Sequence, residues 1–61
     1  VNELLKSARK AAGKTQAQVA KETGISEIAY QRYEYDMREP GVKTAIRIAK
    51  ALGRTVEELF S

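Results

Sequence analysis

The chain predicts an all-α fold of five short helices, and three features carry that expectation. No stretch alternates apolar and polar residues at the period of two that marks a strand, whereas apolar residues recur at steps of three and four through most of the 61 residues. Two capping boxes, Thr15 with Gln18 and Thr55 with Glu58, mark helix starts at which a threonine hydroxyl and the side chain three residues later each take a backbone N–H. Glycines 13, 24 and 53 fall where the apolar periodicity stops, the position of helix terminators.

The first helix is expected from about Asn2 to Ala12, with Leu5, Ala8 and Ala12 at helical spacing and Gly13 ending it. The second opens at Thr15, places Val19 and Ala20 on one face, and stops at Gly24, where a residue without Cβ takes positive φ at no steric cost. Ile25 plugs the turn, and Ser26 caps a third helix over about 26–35 whose inward face is Tyr30 and Tyr33. Because Ala20 is small, the second and third axes approach closely and cross steeply, which pushes the outward face of the third helix away from the body. A fourth helix follows Pro40 and Gly41 with an inner face of Val42, Ala45, Ile46, Ala49 and Leu52, and Gly53 closes it. Thr55 starts a fifth that carries Val56, Leu59 and Phe60.

At 61 residues this is one domain, near the lower size limit for a chain that folds without staples. With neither cysteine nor histidine and no clustered carboxylates, the usual nucleophiles, bases and metal ligands are missing. No enzyme, cofactor or metal is therefore expected. No apolar run approaches the ~20 residues of a membrane span and no leader peptide is visible, which fits a cytoplasmic protein. The chain begins at Val1, as a trimmed product or a piece of a longer regulator would. Net charge is +3, yet residues 16–35 set Lys21 and Arg32 against Glu22, Glu27 and Glu34 and sum to −1. The positive excess lies on Lys6, Arg9, Lys10 and Lys14, and on Arg38, Lys43, Arg47, Lys50 and Arg54. Of these, Lys6, Lys10, Arg47 and Lys50 also fit plain solvated faces.

The order of Gln16, Ala20, Gly24, Ile25, Tyr30, Tyr33 and Glu34 resembles the helix-turn-helix of the lambda-repressor-like family, the Cro/CI-type transcriptional regulators of phage and bacteria. The segment VKTAIRIAKALGRTVEELF is similar to that family's fourth and fifth helices, so the likeness covers nearly the whole chain. Thr23 departs from the usual leucine, Tyr30 and Tyr33 from the usual isoleucine or valine, and Asp36 from the usual glycine or asparagine. The resemblance implies a compact five-helix DNA-binding domain with the motif as helices 2 and 3. It also implies an ion pair between Arg9 and Glu34, and a glutamine, Gln16, whose amide binds a phosphate and braces the first residue of helix 3.

With Tyr30 and Tyr33 inward, the outward set is Ser26, Glu27, Ile28, Gln31 and Arg32, the expected base contacts. Arg32 can donate twice to guanine, Ile28 can pack on a thymine methyl, Glu27 can accept from cytosine, and Gln31 suits adenine or a phosphate. Glu27 equally suits the role of a charge stabilising a helix N-terminus. Phosphate contacts are expected from Thr15, Gln16, Gln18, Tyr35, Arg38 and Lys43. Plain capping is the competing role for Thr15 and Gln18.

The leading expectation is a sequence-specific binder of double-stranded DNA, a transcriptional regulator of repressor type that pairs as a homodimer on a palindromic operator. Arg54, Val56, Leu59 and Phe60 are the candidate dimer contacts, with completion of the protomer core as the alternative for Leu59 and Phe60. The competing function is an antitoxin or adaptor that uses the same fold to bind protein, favoured by the acidic balance of residues 16–35.

Overall fold

The computed structural model describes residues 1–61 and contains five helices: α1 (Glu3–Ala11), α2 (Gln16–Thr23), α3 (Glu27–Glu34), α4 (Val42–Leu52) and α5 (Val56–Phe60). The expected ends lie within a residue or two of these. Thr15 and Ser26 cap α2 and α3 through their side chains, and both capping boxes are complete. The cap of α1 is Asn2, whose Oδ1 accepts from the Leu5 N–H at 3.1 Å while its Nδ2 donates to the Leu59 carbonyl at 2.8 Å. Its own N–H donates to the Glu34 carbonyl at 2.7 Å, so this one short side chain and its amide join the start of α1 to the ends of α3 and α5.

α2 packs on α3 and α4, α1 on α3 and α5, and α4 on α5. The core between them is Leu5, Ala8, Val19, Ala20, Tyr30, Ile48, Ala49, Leu52 and Leu59, with Ile25, Tyr33, Val56 and Phe60 packed partly against it. Gly24 takes φ +73° and ends α2, after which the Ile25 N–H returns to the Ala20 carbonyl at 3.0 Å. The same reversal follows α3 without a glycine: Asp36 has φ +58°, a region its short polar side chain tolerates, and the Met37 N–H bonds the Arg32 carbonyl at 2.9 Å.

Two inner faces differ from expectation. On α4 the buried residues are Ala45, Ile48, Ala49 and Leu52, while Val42 and Ile46 are 77% and 42% exposed. An apolar residue stands on nearly every side of α4, so steps of three and four can be laid from Val42 or from Ala45; contact with α2 and α5 selects the second set. Ala12 is exposed rather than inward because α1 has already ended at Ala11. Thr23, in the place of a leucine, is buried and satisfied locally, its hydroxyl donating to the Val19 carbonyl at 2.7 Å.

Candidate nucleic-acid interface

Tyr30 is fully buried and Glu34 is 1% exposed, and together these two side chains fix the rotation of α3 about its own axis. The opposite face must then project outward. Glu27, Ile28 and Arg32 are exposed there, Ile28 at 62%, and Arg32 takes part in no ion pair. Ser26 is exposed, and its Oγ accepts from the Ala29 N–H at 3.1 Å. Gln31 is half-buried between this surface and α2.

Behind α3 the polar side chains form one connected network. The Arg9 guanidinium meets the Glu34 carboxylate through Nε at 2.9 Å and Nη2 at 3.0 Å, and its Nη1 donates to the Lys14 carbonyl at 3.0 Å. Gln16 Nε2 donates to Glu34 Oε1 at 3.3 Å, and Gln31 Nε2 donates to Gln16 Oε1 at 3.2 Å and to Glu27 Oε2 at 3.4 Å. Burial alone would push the Glu34 carboxyl up, but hydrogen bonds led by Arg9 outweigh it and hold the group below its ordinary 4.5. The hydrogen bond to Glu34 likewise raises Arg9. Beside the pair sits the Tyr30 hydroxyl, sealed from solvent and without a partner in hydrogen-bonding geometry. Burial first, and its closeness to the Glu34 carboxylate second, push it up.

Gln16 therefore braces the start of α3 by a longer route than the resemblance implies. Its amide meets Gln31, one turn into α3, and only through Gln31 reaches Glu27, the first residue. The physical reason is that Glu27 is itself an acceptor and attracts the amide nitrogen of its i+4 neighbour.

A polar depression opens between α1, the start of α2 and α3, lined among others by Lys6, Lys10, Lys14, Thr15, Gln16 and Tyr35. First-turn amides have no acceptor within their own helix. Thr15 takes that of Gln18, and the residues carrying the two before it, Gln16 and Ala17, line the depression. Lys6 and Lys10, one turn apart on α1, line this depression together with the Glu27 and Glu34 side chains. Lys14 is tied to the Glu22 carboxylate at 2.7 Å and to the Ala51 carbonyl at 2.8 Å. Gln18 accepts from the Thr15 N–H at 2.7 Å, which leaves its amide nitrogen unused. Lys43 is exposed in the first turn of α4.

Arg38 lies elsewhere, on the rim of an apolar groove formed by Leu4, Tyr33, Val42, Ile46, Val56 and Phe60. Of the four candidate dimer contacts, Val56 and Phe60 reach this groove and Arg54 is exposed, whereas Leu59 is fully buried in the protomer core. Leu59 is thus a core residue, because α5 packs on both α1 and α4 and turns this side chain between them. No group of histidine, cysteine, aspartate and glutamate side chains is placed to hold a metal ion, and no helix is long and apolar enough to cross a membrane.

Compared with known proteins, residues 5–59 match the family model described as helix-turn-helix, HTH_3. Over 59 residues the chain is 42% identical to the cryptic phage CTXphi transcriptional repressor RstR of Vibrio cholerae serotype O1, covering 97% of this chain and 53% of that protein. The chain thus spans about half the length of this curated relative. No solved structure matches it.

Proposed function

This chain belongs to the helix-turn-helix family of the Cro/CI type, and from that premise we propose that it is the DNA-reading domain of a transcriptional repressor, with α3 entering the major groove. The observation that carries the proposal is the division of α3 into an inner side locked by Tyr30 and Glu34 and an outer side on which Glu27, Ile28 and Arg32 are exposed, Glu27 bonded only to Gln31 of the same helix. Such a surface presents a charged donor, an acceptor and an apolar contact on a rigid support, the three kinds of group that distinguish base pairs in the major groove. Ser26 and Gln31 complete the set. The Lys6 and Lys10 depression, the start of α2 with Thr15, Gln16 and Gln18, and the exposed Tyr35, Arg38 and Lys43 supply phosphate contacts that set register without reading sequence.

One module of this size makes few base contacts, so two protomers on a two-fold symmetric operator are the natural arrangement. A protomer with principal extents of 23 × 22 × 21 Å is narrower than the ~34 Å repeat of successive major grooves. Two therefore fit side by side on one face of the duplex. The apolar groove with Val56 and Phe60 is the proposed surface for pairing. Repression follows from occupancy of promoter DNA.

A salt titration of binding to duplex DNA tests the reading. Tracking of phosphates makes the logarithm of affinity fall linearly with the logarithm of salt, with a slope of about −0.9 per contact. Indifference to salt, or no binding to any duplex, would favour a protein partner instead.

A further inference from the structure

The hydrogen-bond network behind α3 has a direction. Arg9 carries only donors, so the Glu34 carboxylate facing it accepts, and its depressed pKa keeps it ionised and accepting at neutral pH. Gln16 must then turn its amide nitrogen to Glu34, which leaves its carbonyl oxygen facing α3. Gln31 answers with its nitrogen, and the second hydrogen of that nitrogen goes to the Glu27 carboxylate. Both hydrogens of the Gln31 amide are spent inside the protein. Its Oε1 accepts nothing from the chain and is not sealed from solvent, which leaves it available at the edge of the proposed reading surface.

Resting on the reading of α3 as the recognition helix, we infer that Gln31 is a one-way acceptor in the major groove: it selects the exocyclic amino group of adenine or cytosine and makes no bidentate contact with adenine. A glutamine with a free amide pairs with adenine through both its oxygen and its nitrogen, to N6 and N7. Here the nitrogen is committed three groups away from the guanidinium that sets its orientation. Gln16 is the positioning residue, since it passes the polarity of Arg9 and Glu34 across to α3. The same arrangement removes Gln31 as a phosphate ligand, because its one open group is an acceptor and would meet only other acceptors on a phosphate.

Base analogues in the operator test this. Duplexes enriched from a random pool by the wild-type chain define the half-site, and the base pair whose preference disappears with Gln31→Ala is the pair that Gln31 reads. At that pair, removing the amino group, with purine in place of adenine or 2-pyrimidinone in place of cytosine, should weaken binding about tenfold. Replacing the purine N7 by CH should change nothing. Gln16→Ala should then create sensitivity to the N7 replacement, as the released nitrogen becomes free to donate; a merely structural role for Gln16 would lower affinity equally on every duplex. Wild-type dependence on N7, indifference to the amino group, or a Gln31→Ala variant that shifts no position overturns the inference and leaves DNA reading intact. Failure of the chain to enrich any duplex removes both.

Discussion

The two sides of the molecule order their surface side chains by different means. On the side of α2 and α3, polar groups are held by directional bonds: Arg9 to Glu34, Glu34 to Gln16, Gln16 to Gln31 and Gln31 to Glu27. On the side of α4 and α5, exposed Leu4, Val42 and Ile46 line a groove with no directional partner. A directional network can aim a side chain and so carry specificity, while an apolar groove can only lose area to whatever covers it. This difference is the ground for proposing sequence reading on the first side and association on the second.

Breaking the network at its origin should have the largest effect. Arg9→Ala leaves the buried Glu34 carboxylate without its bidentate partner and should cost about 3–5 kcal/mol, seen as a fall in melting temperature far larger than any change in base preference. An unchanged melting temperature would mean the pair contributes nothing to the fold. Next come two isoleucines on one helix: Ile48→Ala should cost about 2–5 kcal/mol, since that side chain is fully buried. Ile46→Ala, on the groove, should stay within about 0.5 kcal/mol in the protomer and weaken self-association instead. Equal costs would erase the distinction between core and groove.

Arg32→Ala should relax preference at a single base pair by about 1–3 kcal/mol in duplex competition. Uniform loss over all sequences would show that Arg32 grips phosphate. Acid offers a finer probe of the network. With Glu34 held below its ordinary 4.5, the unfolded chain takes up the proton first, so stability from this group is complete above that range and is lost as pH falls through the folded value. The melting-temperature gap between wild type and Glu34→Gln should therefore narrow on acidification. A gap that widens or stays constant would contradict the assigned direction. Smallest is Lys43→Ala, which should weaken binding evenly and reduce the salt slope by about 0.9.

What could be foreseen from the residues follows the same division. Caps and stops were legible because each rests on one residue's own chemistry, as with Thr15, Ser26 and Gly24. The inner face of α3 was legible because Tyr30 and Tyr33 are the large apolar residues at its helical spacing. α4 was not, because Val42, Ile46 and Ile48 are equally apolar and only the packing of α2 and α5 decides which turn inward. The double role of Asn2 was also hidden, since the Leu59 carbonyl it holds lies 57 positions away. Nor could spacing reveal that Gln31 answers to Gln16, a contact made only by the crossing of two helices.

Selection of duplexes from a random pool, run in parallel with the wild-type chain and a variant that replaces Ile28 and Arg32 by alanine, tests the central claim most directly. The account predicts that the wild type enriches a two-fold symmetric site with half-sites about one helical turn apart, and that the variant keeps phosphate-driven binding while losing that sequence. Enrichment of the same sequence by both proteins would show that the outward face of α3 does not read DNA.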